Sequence, residues 1–459
     1  MAIKRLFIAN RGEIAVRIIR SARSMGIHTI QAYSEADVDS LAVRYADEAV
    51  LIGKPPAAKS YLNIEAVLAG AKKTKADAVH PGYGFLAENG DFADAVEAAG
   101  LIFVGPRGNT IRHLADKVAA RSAANAAGLP TVPGSSGRVS ANHPLDVIDS
   151  NLEFPVLIKA AAGGGGRGIR IARDEDEFCR LAPQAAIEAQ SAFGDNGIYV
   201  EAYIENARHI EVQVIGDGSR TVHFYDRECS LQRNRQKIWE EAPASVLSTE
   251  IREKLCQSAV AFSESVGYRS AGTMEFLYDV EKEKFYFLEM NTRIQVEHPV
   301  TECITAVDLI RESILVADSG RLHLNQEDIV LNGHSIECRI NAEDPVKGFM
   351  PSPGTVAVLN LPGGPGVRFD SMLFSGCQIP PYYDSLVGKL IVWDDSREQA
   401  LQRMKVALNE LEIEGISTTK LLHQALVDDW EIRNGEMHIQ FLDAWLDQSM
   451  TQLTAMGDE

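Results

Sequence analysis

The sequence predicts a mixed protein, α/β at its start and α+β overall, and three observations carry the prediction. About 110 residues at the start alternate short apolar runs with helical periodicity, which implies a parallel, doubly wound sheet. Four consecutive glycines, Gly163, Gly164, Gly165 and Gly166, lie between two strand-like segments and precede no helix. After about Tyr203 the pattern turns to alternating β.

Each element follows in order. Residues 5–10 (RLFIAN) read as a strand, and Glu13 to Met25 as a helix with Ile14, Val16, Ile18, Ile19 and Ala22 mostly on one side. Residues 28–34, Asp77 to His80 and 101–105 read as further strands. Ligands on such sheets sit at the carboxyl ends of strands, where Asn10 to Glu13 and His80 to Gly84 lie. Asp116 to Gly128 reads as an Ala-rich helix, broken by residues 131–137. Strands at 155–160 and 168–173 flank the glycine loop. Strands follow at 209–218, 221–229, 271–279 and 284–291, then a β-rich stretch over 334–395 and helices over 396–448. The boundaries this predicts are 1–115, a helical linker 116–130, a compact module 131–203, a large domain 204–448 and a frayed tail 449–459.

Composition bounds the function. The chain has 459 residues, enough for two to four domains at roughly 100–200 residues each. With 45 basic and 64 acidic residues the net charge is 45 − 64 = −19, which repels a nucleic-acid backbone and argues against that partner. No apolar run reaches the roughly 18 residues of a membrane span. The start, MAIKRLFIAN, reads as a first strand and not a signal peptide. The six cysteines, at 179, 229, 256, 303, 338 and 377, form no CxxC pair. They read as small buried hydrophobes in a reducing cytoplasm.

Four constellations carry chemistry. The glycine run with Arg167 and Gly168 formally matches GxGxxG, but the dinucleotide fingerprint needs a following helix and this loop leads into a strand. It reads as a cover whose N–H groups close over nucleotide phosphates, with Lys159 ending the preceding strand to meet phosphate oxygens. Second, residues 272–279 and 284–291 flank a charged turn. A hairpin centred near Lys282 sets Glu275 opposite Glu289, a repulsion that a divalent cation reverses. Third, Asn291, Arg293, Gln295 and Glu297 recur at every second residue. In an extended segment they share one face, either solvated or able to hold a small planar anion and supply a base. His209, Glu211 and Gln213 form a similar set that reads as a polar sheet face, with His209 a possible nucleotide contact. Fourth, Arg227 and the run Arg233 to Lys237 concentrate positive charge in an acidic chain, as an anion pocket or a solvated run. Arg339 lies on an apolar strand and needs a partner, a carboxylate or a developing anion.

The segments IANRGEIAVRI, HPGYGFLAEN, GGGGRGIRI, EMNTRIQVEHPVTE, ECRINAEDP and PPYYDSLVGKL make the chain resemble, over nearly its full length, the biotin carboxylase component of biotin-dependent carboxylases. It looks most like the stand-alone subunit of bacterial acyl-CoA carboxylases. The resemblance implies an ATP-grasp fold: a Rossmann-like N-terminal domain, a small lid and a large antiparallel β domain. It implies an ATP-dependent ligase that carboxylates biotin with bicarbonate through carboxyphosphate. Carried over by position, Lys117, Lys159, Glu201, His209, Gln232 and Arg235 meet ATP with the glycine loop. Glu275, Glu289 and Asn291 hold magnesium (or manganese). Lys237, Arg293, Gln295, Val296 and Glu297 surround bicarbonate, and Tyr83 and Arg339 meet biotin. Glu297 takes the proton of bicarbonate, Arg293 and Lys237 hold carboxyphosphate, and Arg339 stabilises the biotin enolate.

The chain departs from the family pattern at Ala202, where Lys is usual, at Arg235, where many members have His, and at Ile169, where Met is common. Interface positions that usually hold Glu and Phe are Ser24 and Pro365, while Arg20 and Arg368 remain, so a homodimer is expected. Tyr225, Glu228, Asn234 and Trp239 point away from the commonest housekeeping form. No AMKM biotinylation motif occurs, so the expected partners are a separate biotin carboxyl carrier protein and a carboxyltransferase subunit, in the cytoplasm. The final acceptor (acetyl-CoA, another acyl-CoA, pyruvate or urea) is left open. Two other functions compete. One is a ligase of the same fold acting on another carboxylate, disfavoured by the Arg293 and Arg339 motifs. The other is a non-catalytic ATP-binding regulatory subunit, which would be expected to lose Glu297 or a metal carboxylate.

Overall fold

A computed structural model describes residues 2–135, 152–160, 170–193 and 196–457. Apolar runs at the start form five parallel strands: β1 (Arg5–Ile8), β2 (His28–Ser34), β3 (Glu48–Gly53), β4 (Ala78–His80) and β5 (Ile102–Phe103). Their order is β3-β2-β1-β4-β5, so the chain reverses direction of travel beside β1, where β1 and β4 meet. The sequence reading had no strand at Glu48–Gly53; its pattern is broken by the half-buried Glu48 and Ala49 and the exposed Leu51. The helix Gly12–Ser24 buries Ile14, Val16, Ile18, Ile19 and Ala22, the face its periodicity predicts.

At the carboxyl end of β1, Asn10 donates from Nδ2 to the Pro81 and Tyr83 carbonyls, both at 2.7 Å, and so folds the loop after β4. Gly82 has φ +64° there, and a Cβ would lie 2.9 Å from Asn10 Nδ2, so a side chain would break this anchor. Tyr83 is thereby turned toward the large domain.

A small antiparallel sheet, β7-β6-β8, is built from β6 (Val156–Ala160), β7 (Arg170–Ala172) and β8 (Ile198–Ala202). The helix Glu175–Phe193 covers it, and Val156, Ile158, Phe178, Ala182 and Val200 form its core. Strands stand before and after the glycine run, as the sequence predicts. Gly163 to Gly166 lie outside the described residues.

Among the described residues the remaining chain builds three two-stranded sheets and one antiparallel eight-stranded sheet. Its strands are β9 (Arg208–Asp217), β10 (Thr221–Arg233), β11 (Gln236–Ala242), β12 (Arg269–Asp279), β13 (Lys284–Asn291), β14 (His334–Asn341) and two more at Val367–Ser371 and Leu386–Asp394. From one edge the order is β13-β12-β9-β10-β11-β14, then Leu386–Asp394 and Val367–Ser371. Strand alternation divides this sheet. Ile210, Val212, Val214, Met274, Phe276 and Met290 pack one face against the helix Thr249–Ser265. The residues between them, all polar, point to the other face.

Two expectations change. The helix Phe441–Gly457 occupies the segment expected to fray, and Leu453 is buried in the core that holds it. Cys179 is exposed and Cys303 half-buried; the other four cysteines are buried, and all six are free. Among the described residues no helix is long and apolar enough to cross a membrane.

Candidate active site

The polar face of the large sheet gathers the predicted residues because of register. Glu275 pairs with Glu289 across β12 and β13, the opposition predicted from a turn at Lys282, and Thr273 pairs with Asn291. On the other side of β12, Glu275 faces Glu211 and Thr273 faces Gln213. β10 then sets Arg227 against Glu211.

Arg227 is wholly buried, and every arm is used. Nε donates to Glu211 at 2.5 Å, Nη1 to Gln213 and Thr301 at 2.9 Å each, and Nη2 to Gln295 at 2.9 Å and Thr273 at 3.2 Å. Guanidinium geometry suits this fan, and such full pairing offsets the desolvation of the charge.

Lys237 forms the centre. Its Nζ lies 2.5 Å from Glu211, 2.8 Å from Glu275 and 2.7 Å from Glu297. Burial works against its charge, but these three carboxylates hold its pKa well above the ordinary lysine value. Glu297 also accepts from Arg339 Nη2 at 2.9 Å, while Arg339 Nε donates to Glu240 at 2.5 Å. Burial pushes Glu297 up, yet Lys237 and Arg339 outweigh it and keep the group ionised. Glu240 behaves oppositely: burial pushes it up to about 7 despite the pull of Arg339.

The segment 291–297 is not extended as expected. β13 ends at Asn291, the chain bends, and Glu297 precedes the helix His298–Thr305 with φ −81° and ψ 8°. The bend separates the side chains that alternation would have set in one row. Gln295 donates to Glu275 at 2.8 Å, and Glu297 reaches Lys237 and Arg339. Arg293 instead donates to Glu88 at 3.0 Å and to Asn291 at 3.1 Å. Val296 contributes its carbonyl, which accepts from Lys389 at 2.6 Å.

The set His209, Glu211 and Gln213 is more than a polar sheet face, since all three are buried within this network. His209 Nε2 lies 3.3 Å from Glu275. The basic run does not form one pocket. Arg227 and Lys237 are internal, Arg233 stacks on Phe349 with 3.8 Å to the ring centroid, and Asn234 and Arg235 make the exposed two-residue turn between β10 and β11. Both turn residues have positive φ, as tight hairpins demand. Gln232 donates to the Cys229 carbonyl at 2.8 Å.

Toward the small sheet, Glu201 of β8 accepts from Lys159 and, at 2.9 Å, from Arg121. Lys117 is exposed at the start of the helix Lys117–Ala126, within electrostatic reach of Glu289. Tyr83 donates to Glu13 and lies within electrostatic reach of Arg339.

A divalent cation fits Glu275, Glu289 and Asn291. Burial and the facing Glu275 push Glu289 up, so the pair has a repulsion for a cation to relieve, and Asn291 offers Oδ1, which accepts from Arg293 at 3.1 Å, as an oxygen ligand. His209, Glu211 and Glu275 also lie close enough to share an ion, but Arg227 and Lys237 already occupy Glu211.

Sequence reasoning missed Glu88, Glu240, Glu13 and Lys389 as site residues, and set Glu211 aside. Three of them, Glu88, Glu13 and Lys389, stand inside segments that carry the family resemblance. Glu240 had a local signal, a carboxylate in the apolar run around Trp239.

Comparison with known proteins covers almost the whole chain. Residues 2–111 match the family described as "Biotin carboxylase, N-terminal domain", 116–325 the "Carbamoyl-phosphate synthase L chain, ATP binding domain" and 337–444 the "Biotin carboxylase C-terminal domain". Biotin carboxylase 1 of Bacillus subtilis is 50% identical over 444 residues, 96% of this chain and 99% of that one. A pyruvate carboxylase subunit of Methanothermobacter thermautotrophicus is 46% identical over 459 residues, 99% of this chain and 93% of that one. The biotin carboxylase domain dimer of Hydrogenobacter thermophilus 2-oxoglutarate carboxylase, solved with MgADP, ADP and bicarbonate, superposes with a TM-score of 0.89 at 46% identity and covers 98% of each chain.

Proposed function

The chain belongs to the biotin carboxylase family, and from that premise we propose how its residues carboxylate biotin with ATP and bicarbonate, the first half-reaction of a multisubunit carboxylase. The observation that carries the reading is Glu297 held ionised between Lys237 and Arg339, a base flanked by two cations. Bicarbonate displaces those cations onto itself, which raises the basicity of Glu297 as it is needed. Glu297 then accepts the bicarbonate proton. The freed oxygen attacks the γ-phosphate of ATP, and the bond to ADP breaks. Arg293 and Lys237 hold the resulting carboxyphosphate.

Carboxyphosphate splits at its C–O bond into CO2 and phosphate. Phosphate accepts the N1′ proton of biotin, and the nitrogen attacks CO2. Arg339 stabilises the developing enolate by fixed charge, commonly the dominant contribution to such catalysis. Lys117, Lys159, Glu201, His209, Gln232 and Arg235 orient ATP under the glycine loop. Magnesium, held by Glu275, Glu289 and Asn291, supplies charge neutralisation on the phosphates. Tyr83 and Arg339 receive biotin, which a separate carrier protein presents, and a carboxyltransferase takes the product onward. The relatives serve different acceptors, pyruvate and 2-oxoglutarate among them, so the acceptor is set by that partner. A homodimer through the surface carrying Arg20, Arg368 and Asp370 is part of this reading.

The test is ATP cleavage with bicarbonate, with and without free biotin. The reading expects slow bicarbonate-dependent cleavage that biotin accelerates, with carboxybiotin as product. Cleavage indifferent to bicarbonate would refute it.

A further inference from the structure

Lys389 lies on Leu386–Asp394, in register with Arg339 of β14, so both side chains leave the polar face of the large sheet. It is 0% exposed. A buried ammonium is costly unless its donors are used. Its Nζ donates to the Val296 carbonyl at 2.6 Å and lies 3.2 Å from Glu13 Oε1. Glu13 is itself buried, on the helix Gly12–Ser24, and accepts from the Tyr83 hydroxyl. One ammonium thus joins the first helix of the N-terminal domain, the bend after β13 and the strand beside Arg339. Val296 stands between Gln295, which donates to Glu275, and Glu297, which accepts from Lys237 and Arg339. The orientation of this peptide aims both side chains.

We propose that Lys389 is a positioning residue for the carboxylation reaction. Paired with Glu13, it fixes the Val296 peptide and so the aim of Glu297 at bicarbonate. The inference rests on the reading of Glu297 as the base for bicarbonate. A competing role is domain adhesion alone, in which the ion pair joins the two domains and nothing at the bend depends on it.

Lys389→Met alone strands the buried Glu13 carboxylate and destabilises the protein. The double variant Glu13→Gln/Lys389→Met removes both charges at nearly constant volume, which restores packing, yet its thioether cannot donate to the Val296 carbonyl. The full chain of each variant is compared with wild type by thermal melting and by steady-state ATP cleavage against bicarbonate and against MgATP. The expected result is a double variant that melts near wild type, with KM for bicarbonate raised about 10- to 100-fold, the scale of a misplaced reacting group. KM for MgATP stays within about twofold. A double variant with wild-type melting and wild-type bicarbonate kinetics leaves only adhesion and overturns the proposal, as does an equal rise in both KM values. Amide exchange across residues 292–298 needs no turnover. It should quicken in the double variant, and unchanged protection would overturn the positioning role even if the wild type failed to cleave ATP, which would refute the functional reading separately.

Discussion

Replacing Arg339 with Gln separates the two chemical steps. The side chain makes two charged bonds, Nε to Glu240 at 2.5 Å and Nη2 to Glu297 at 2.9 Å. Breaking a buried pair by removing one partner costs about 3–5 kcal/mol when the other charge is left uncompensated. Here the cost is smaller. Glu297 keeps Lys237 at 2.7 Å, and Glu240, already pushed up to about 7 by burial, takes a proton once its cation is gone. The protein should therefore fold. Carboxyl transfer loses a preorganised charge on the enolate, about 10²–10³ in turnover, or roughly 2.7–4 kcal/mol. Bicarbonate-dependent ATP cleavage should fall by only about tenfold or less, about 1.4 kcal/mol, because Lys237 still serves Glu297. Parallel assays of phosphate release and carboxybiotin formation, with a melting curve, check this. Equal loss of both activities in a stably folded variant would remove the division of roles. Retained biotin carboxylation would remove Arg339 from the mechanism.

Three further outcomes are expected. Glu275→Gln and Glu289→Gln should each raise the magnesium concentration needed for half-maximal turnover, and normal activity of both at limiting magnesium would count against the cation site. Arg227→Met should cost about 3–5 kcal/mol, read as a lower urea midpoint, because Glu211 keeps Lys237 but four buried neutral partners lose their donor, at about 1–3 kcal/mol for each group left unsatisfied. An unchanged midpoint contradicts that. Glu240 has a folded pKa of about 7, above its unfolded value of about 4.3. Its contribution to stability is present below about 4.3 and is lost as pH rises through 7. Melting temperature should thus fall less between about pH 4.3 and 7, the window those two values bracket, in Glu240→Gln than in wild type, and equal slopes would refute the shift.

What could be read in the sequence followed local rules. The β12–β13 register came from a turn and two strands, because hairpin pairing is fixed by its own loop. Four of the five strands of the parallel sheet and the apolar face of the first helix came from periodicity. Long-range pairing had no such local signal. Glu88 meets Arg293, and Glu13 meets Lys389, from opposite ends of the chain and across domains. Alternation also misled at residues 291–297, where the chain bends and the odd-numbered side chains scatter to different partners. His209, Glu211 and Gln213 looked like an ordinary polar face because nothing local reveals that Arg227 and Lys237 close over them.

The central claim is that the ionised Glu297 turns bicarbonate into the nucleophile toward ATP. Turnover with 18O-labelled bicarbonate in unlabelled water tests it most directly. Attack by a bicarbonate oxygen, followed by C–O cleavage, leaves that oxygen on phosphorus, so the account predicts one labelled oxygen in each phosphate released. Unlabelled phosphate at full bicarbonate-dependent turnover would mean that water attacks ATP, and would contradict it.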